Sequence, residues 1–261
     1  MSEMTLANVT TGIIPRPLRV SLYGVDGVGK TCFGAGAPAP IFIATEDGSH
    51  HVNVSRFPVP ETWDDLFRAV RLLAEEEHNF QSLTVDSMDW AEALCDQYLV
   101  SVYNQTNQTK PITAITDIPF GGWKALKMAE FTKFLDWLSV LVRVRGMHVI
   151  CISHANIIRF DDPERDAYQR YELKLFPPLA AKVREWSDYN LFANYDTVIQ
   201  TTGEGFNQRT VGLSHGKRLL FSQRRAAYDA KARFNIPERL DLSWDTFWAA
   251  HTAAQQSQQP Q

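Results

Sequence analysis

The chain has 261 residues, of which 44% are hydrophobic and 21% charged, so it is long enough to bury a large core. Its formal net charge of −4 argues against a general nucleic-acid binder, and no apolar run reaches the roughly 18 residues of a membrane span. The three cysteines, Cys32, Cys95 and Cys151, form neither a zinc-binding spacing nor an obvious disulfide. We therefore expect reduced thiols in a cytoplasmic protein without a signal peptide.

The first predicted elements surround a glycine-rich segment. Residues 18–23 alternate between apolar and polar side chains, which predicts a strand, and the residues after Thr31 can begin a helix. Between them, residues 24–31 fit the pattern G-x-x-x-x-G-K-[ST] at every fixed position. In such a loop, backbone N–H groups surround a phosphate chain, the lysine contacts the β/γ-phosphates and the threonine hydroxyl can ligate Mg²⁺. The sequence therefore predicts a site for ATP and Mg²⁺, with these nucleotide-binding residues: Gly24, Val25, Asp26, Gly27, Val28, Gly29, Lys30, Thr31 and Cys32.

Two acidic residues follow the next predicted strands. Residues 41–44 form a short apolar strand that Glu46 follows, and residues 80–86 form a strand that ends in Asp86. Since ligands gather at the carboxyl ends of parallel strands, we expect Asp86 to hold Mg²⁺ together with Thr31, as a Walker B residue does. Glu46 is the candidate base for the attacking water, and Asp47 is the competing acid.

The rest of the chain continues the alternation of helices and strands. Helical spacing predicts helices over 63–74, 90–103 and 123–144. An apolar strand over 147–153 precedes His154, a candidate sensor of the γ-phosphate. A helix near 179–185, strands around 195–201, 208–213 and 218–222, and a terminal helix from Trp244 come next. This order predicts an α/β fold with a mainly parallel central sheet flanked by helices, followed by a β-rich C-terminal part.

At four segments the sequence resembles a known family. The segments are Phe42–Glu46, Val85–Ser87, Ile152–His154 and the Lys-x-Arg-x-x-Ile-Pro run at 231–237. They are similar to segments of the RecA-like ATPases, above all the phage-encoded, single-domain proteins of the Sak type, which promote ATP-dependent single-strand annealing or recombination. The resemblance implies a RecA-like core over residues 16–252, after an N-terminal extension at 1–15. The low-complexity end, 253–261, is expected to be disordered.

The resemblance also implies two loops that bind single-stranded DNA, one over 113–122 and one over 155–176. The second loop interleaves cations with aromatic residues, as sequence-tolerant binding of single strands requires. It also carries five acids, and a lid over the nucleotide is the alternative. Trp123 is one candidate for stacking on a base. The predicted DNA-binding residues are Arg159, Arg165, Arg170 and Lys174.

A further implication of the resemblance is a basic element that completes the active site of a neighbouring subunit. Lys231 and Arg233 match that element, and the alternative is ordinary surface charge. Residues 42–100 carry twelve acids and three basic residues, whereas residues 209–239 carry eight basic residues and two acids. Surfaces of opposite charge suit self-association into a ring or a filament.

Three functions remain open at this point. The first is a DNA-stimulated ATPase of recombination that assembles on single-stranded DNA, with a single-strand-binding protein as a possible partner. The second is a ring-forming DNA motor or loader, and the third is a small-molecule kinase. The catalytic residues expected for the first are Lys30, Glu46, His154, Lys231 and Arg233.

Overall fold

The computed structural model describes residues 4–46, 48–164, 166–202 and 209–258. Its strands are β1 (Arg19–Gly24), β2 (Pro40–Ala44), β3 (Ser55–Arg56), β4 (Ser82–Asp86), β5 (His148–Phe160), β6 (Tyr168–Leu173), β7 (Tyr189–Thr202), β8 (Arg209–Phe221), β9 (Lys231–Ala232) and β10 (Arg239–Asp241). Its α-helices are α1 (Lys30–Ala35), α2 (Trp63–Glu75), α3 (Met88–Thr106), α4 (Trp123–Val144), α5 (Pro177–Trp186) and α6 (Trp244–Ser257).

One large sheet organises the fold, in the order β10-β8-β7-β1-β5-β4-β2-β3. The strands from β7 to β3 along this order are parallel, whereas β8 and β10 are antiparallel additions at one edge. The predicted α/β fold with a mainly parallel sheet is therefore confirmed. The phosphate loop follows β1, and β5 separates β1 from β4, so the residues after β1, β2, β4 and β5 meet at the carboxyl edge of the sheet.

The sheet is covered on both faces. Alternate residues of β5 enter different cores: Val149 and Cys151 pack with α2, α3, α4 and α5, whereas Ile150 and Ile152 pack with α1 and α6. This arrangement explains why residues 149–152 of β5 are all apolar. None of the helices in the described part of the chain combines the length and hydropathy needed to cross a bilayer.

Helix boundaries follow local signals in the sequence. Thr62 begins α2 with a capping box, in which its hydroxyl accepts from the Asp65 backbone N–H at 3.1 Å and the Asp65 carboxylate accepts from the Thr62 N–H at 3.0 Å. Helix α4 has the predicted bounds, 123–144. Its buried Lys127 donates to Glu92 at 2.6 Å and to Asp96 at 3.0 Å, so the first turns of α3 and α4 lie side by side.

Three predictions about local structure were wrong. The loop predicted over 155–176 is a β-hairpin, in which β5 continues to Phe160 and pairs with β6. The strands predicted over 208–213 and 218–222 are one strand, β8, because β7 pairs with it along its length. The segment after Ala253, predicted to be disordered, continues α6 to Ser257, since Ala254 is buried in the core under that helix.

Candidate functional site: a phosphate loop at the carboxyl edge of the sheet

Two glycines of the predicted phosphate loop have backbone conformations that other residues rarely adopt. Gly27 has φ +70° and Gly29 has φ +106°, both in the left-handed region. At Gly24 the requirement is space, because a Cβ would lie 2.1 Å from the carbonyl oxygen of Ala193 on the neighbouring strand. The glycine positions of the pattern are therefore dictated by backbone geometry, and they leave room between the loop and the strand ends.

Lys30 is the buried cation of this loop, with 7% of its surface exposed. Its Nζ donates to the carbonyl oxygens of Gly24 and Val25, each at 3.0 Å, and no carboxylate lies within ion-pair distance of it among the described residues. Burial lowers the pKa of Lys30, and the carboxylates of Asp26 and Asp86 act against that shift. A phosphate that enters the cleft can exchange these neutral partners for charged ones.

Thr31 and Asp86 lie together as predicted. The Thr31 hydroxyl donates to Oδ2 of Asp86 at 2.8 Å, although 55 residues separate the two in sequence. Burial raises the pKa of Asp86, and the hydrogen bond from Thr31 opposes this shift. A hydroxyl and a carboxylate are hard oxygen ligands, and Mg²⁺ is commonly held by one or two such groups together with phosphate oxygens. The pair therefore fits the ion that the phosphate loop implies.

Glu46 and His154 face each other across the cleft. His154 Nε2 lies 3.8 Å from Glu46 Oε1 and 3.8 Å from Asp26 Oδ1. Burial raises the pKa of Glu46, and the neighbouring His154 opposes that shift. The structure thus brings the predicted base and the predicted sensor to the same cleft as Lys30. Asp47, the alternative base, lies outside the described residues.

The sequence interpretation missed the residue that fixes His154. Asp89, in the first turn of α3, contacts the His154 Nδ1 at 2.8 Å and accepts from its backbone N–H at 3.1 Å. The hydrogen bond with Asp89 raises the pKa of His154. Burial acts to raise the pKa of Asp89, but the hydrogen bonds from His154 outweigh it and the pKa is lowered. The available signal was an acid three residues after Asp86, because the first turn of the helix that follows β4 lies at the carboxyl edge of the sheet.

These residues line a cleft of about 440 Å³. The motif predicted only part of this cleft, which also contains side chains that the motif does not include. Cys32, one of the predicted nucleotide-binding residues, is exposed and lines the cleft. The lining residues are Gly27, Gly29, Lys30, Thr31, Cys32, Glu46, Gly48, Ser49, His51, Asp86, His154 and Arg218.

The basic element at 231–233 lies at the opposite, amino edge of the sheet, where β9 pairs with the start of β7. Lys231 Nζ donates to the carbonyl oxygens of Arg184, at 2.7 Å, and Ser187, at 2.8 Å, so it caps the end of α5. Arg233 is 2.8 Å from the buried Asp188. Both cations thus have partners within the chain, and the predicted role toward a neighbouring subunit would require that these contacts break.

The four predicted DNA-binding cations have different surroundings. Arg170 is buried, with 2% of its side chain exposed, and lies 3.0 Å from Glu172 and 4.6 Å from the centre of the Phe160 ring. It is therefore unavailable to DNA, and that prediction was wrong. Arg159 is exposed and pairs with Asp161 at 3.1 Å, and Lys174 is exposed. Arg165 lies outside the described residues.

The two segments predicted to bind DNA lie next to each other. Trp123, which follows the first segment, packs against Phe176, which follows the hairpin, with 5.0 Å between ring centres. Trp123 is half-buried, so part of its ring already packs within the chain. The exposed aromatic residue of this region is Phe120, whose φ is +58° and whose side chain is fully exposed. A bulky residue in that backbone region is strained.

Comparison with known protein families matches residues 16–234 to the family described as an AAA domain. The chain belongs to this AAA-domain family. The matched residues include the phosphate loop, Glu46, Asp86 and His154, and the chain is thus a P-loop ATPase in general terms. A search of curated proteins found no match.

Solved structures were compared with the AAA-domain chain as well. A structure titled "Crystal structure of the RadB recombinase" matches 88% of this chain and 90% of that chain, with 15% identity and a TM-score of 0.44. A likeness at this level gives no information about function.

Proposed function

We propose that this AAA-domain protein is a Mg²⁺-dependent ATPase that acts on single-stranded DNA in annealing or recombination, as the Sak-type resemblance implies. The observation that carries the ATPase part is the convergence of Lys30, Thr31, Asp86, Glu46 and His154 on one cleft. Binding of phosphate alone would need the loop and its cation. The presence of a carboxylate base and a tethered histidine beyond them favours hydrolysis.

Each residue has a definite task in this proposal. Lys30 leaves its two carbonyl partners and contacts the β/γ-phosphates. When bound, Mg²⁺ neutralises charge on the phosphate oxygens, and Thr31 and Asp86 would hold it. Glu46 accepts a proton from the attacking water, a role that its raised pKa suits. His154 donates from Nε2 toward the γ-phosphate, while Asp89 fixes the ring from the other side.

Two observations support the DNA-binding part. The segment at 113–122 and the hairpin meet at the Trp123–Phe176 contact, on the same edge of the sheet as the cleft. Phe120 stands fully exposed between Pro119 and Gly121, and an aromatic face in the open is what a nucleotide base can stack on. Arg159 and Lys174 supply exposed positive charge nearby along the hairpin.

We infer that the protein self-associates into a ring or a filament on single-stranded DNA. The excess of acids over 42–100 and of basic residues over 209–239 supports this inference, although the amino-edge cations are engaged within the chain. Sedimentation with and without ATP and single-stranded DNA measures the association. A single-strand-binding protein remains a proposed partner.

ATP hydrolysis with and without single-stranded DNA, across a salt series, tests the proposal. We expect stimulation by DNA that weakens as salt rises. Phe120→Ser should reduce the stimulation and leave basal hydrolysis unchanged. Val144→Ser, which also changes an exposed apolar residue, at the far end of α4, is the matched control. Hydrolysis that DNA does not change would contradict the DNA part, and ATP-dependent phosphorylation of a small acceptor would favour the kinase.

A further inference from the structure

Among the described residues that line the cleft, Arg218 is the one lysine or arginine that the phosphate-loop motif does not account for. It lies on β8, is exposed, and lines the cleft with Lys30 and Glu46. Its Nη1 lies 3.1 Å from the point where a Cβ on Gly29 would stand. No carboxylate lies within ion-pair distance of Arg218 in the described part of the chain. An arginine without an anion, beside a loop built for phosphates, needs an explanation.

Three other exposed cations of the C-terminal part have carboxylate partners, whereas Arg239 lies over the ring of Phe221. Lys217, the preceding residue, is 2.8 Å from Asp241, and Arg225 is paired with Glu238. Arg233 is paired with Asp188. The difference is one of position: Arg218 alone among these cations reaches the cleft.

The backbone fixes Arg218 in this position. On the neighbouring strand its pairing partner is Tyr195, whose hydroxyl donates to the carbonyl oxygen of Gly27 at 2.9 Å. The backbone N–H of Leu242 donates to the Arg218 carbonyl oxygen at 3.1 Å. The strand pairing shifts register immediately beyond Tyr195, and such irregularities redirect side chains near functional sites. Both members of the Tyr195–Arg218 pair are thus directed at the phosphate loop.

We propose that Arg218 binds the phosphate groups of the nucleotide from within the same chain, as a second cation beside Lys30. This inference rests on the proposed function, since it requires that the cleft takes a nucleoside triphosphate. The guanidinium presents a planar fork of donors that matches two phosphate oxygens. Tyr195 acts as a positioning residue, because it contacts the loop and not the nucleotide. In this geometry an arginine supplied by a neighbouring subunit is unnecessary for phosphate binding.

Binding of fluorescent ATP and ADP analogues, with Mg²⁺, tests the proposal on the full chain. Arg218→Ala and Arg218→Gln should weaken the binding of both nucleotides by about tenfold to a hundredfold, since each loses a charge-assisted contact. Arg218→Lys should fall between these variants and the wild type. Lys217→Ala is the matched control and should bind within twofold of the wild type, because its side chain is paired with Asp241.

The possible results separate this inference from the proposed function. Wild-type protein that binds no nucleotide overturns both. Wild-type binding that Arg218→Ala leaves unchanged overturns the inference and leaves the proposed function standing. An equal loss for an adenosine analogue without phosphates would mean a contact with the nucleoside, and this too overturns the assignment. Thermal melting of each variant checks the fold, which the exposed position of Arg218 should preserve.

Discussion

The two edges of the central sheet use charge in opposite ways. At the amino edge, the buried carboxylate of Asp188 lies within 2.8 Å of Arg16, 3.1 Å of Arg19 and 2.8 Å of Arg233. Its backbone and side chain also accept hydrogen bonds from elements far apart in sequence. Among the described residues, Arg16, Arg19 and Arg233 all pair with this one carboxylate, so the edge joins the N-terminal segment to β7 and β9.

At the carboxyl edge, Asp89 pairs with His154, but Lys30, Asp86 and Glu46 are gathered without pairing with one another. In the part of the chain that the structure describes, neither Asp86 nor Glu46 has a lysine or arginine within ion-pair distance, and Lys30 contacts carbonyl oxygens. Burial shifts the pKa values of all three in the direction of their neutral forms. Keeping these charged groups together lowers the stability of the fold. Unpaired groups with shifted pKa values in a cleft are typical of a functional site. The number of charges in a segment therefore predicts a functional site less well than the pairing of those charges in the folded chain does.

The largest expected effect is that of Lys30→Ala. The variant removes the loop's fixed charge on the β/γ-phosphates, so we expect ATP hydrolysis to be abolished and nucleotide binding to fall more than a hundredfold. Hydrolysis and binding are measured on the same preparation, with Lys217→Ala as a control for loss of a lysine. Unchanged turnover would contradict the assignment of the carboxyl edge as the nucleotide site.

Glu46→Gln should separate binding from chemistry. Glutamine keeps the size and can hydrogen-bond, but it cannot accept a proton from water, so turnover should fall by about 10²–10⁴-fold while ATP binding is retained. Asp86→Asn should instead raise the Mg²⁺ concentration needed for half-maximal activity. Asp47→Asn is the matched control for the base. If it stalls turnover and Glu46→Gln does not, the base is the neighbouring residue.

Sequence patterns were sufficient to predict the elements that neighbouring residues in the chain determine. The phosphate loop is fixed by glycine geometry and spacing, and α4 has a helical pattern over its full length, so both were predicted with their boundaries. The role of Arg170 could not be predicted, since β6 is a strand only because β5 pairs with it. Its partner Glu172 lies two residues further along the same strand, and Asp229 comes close through the bridge between Tyr171 and Tyr228. Arg218 carried no signal either, because its proximity to Gly29 arises from the register of β7 and β8.

Arg170→Ala and Arg159→Ala sharpen the comparison within one hairpin. Arg170 is buried beside Glu172 and Asp229, which keep Arg184 as a partner, so its removal should cost about 1.5–3 kcal/mol in the free energy of unfolding. Arg159 is exposed, and its removal should change that free energy by less than about 0.5 kcal/mol. For DNA binding we expect Arg159→Ala to have the larger effect of the two variants. It should lower the slope of log affinity against log salt by about one. Urea unfolding and DNA titrations at several salt concentrations give both quantities, and equal stability losses would contradict the different environments.

The smallest expected effect on ATP hydrolysis is that of Arg233→Ala, and it decides whether the amino edge serves a neighbouring subunit. Half of the Arg233 side chain is exposed and Asp188 keeps Arg16 and Arg19, so the loss in stability should be about 1 kcal/mol or less. If the role is within the chain, as the contacts indicate, the variant should hydrolyse ATP at nearly the wild-type rate. Mixing it with Glu46→Gln protein should then give the sum of the two separate rates.

A subunit that supplied Arg233 to its neighbour would give a different result. Arg233→Ala alone would be inactive, and the mixture would recover activity at interfaces that pair an intact Glu46 with an intact Arg233. Recovery above the sum would mean that assembly releases Arg233 from Asp188, and the amino edge would then belong to the active site.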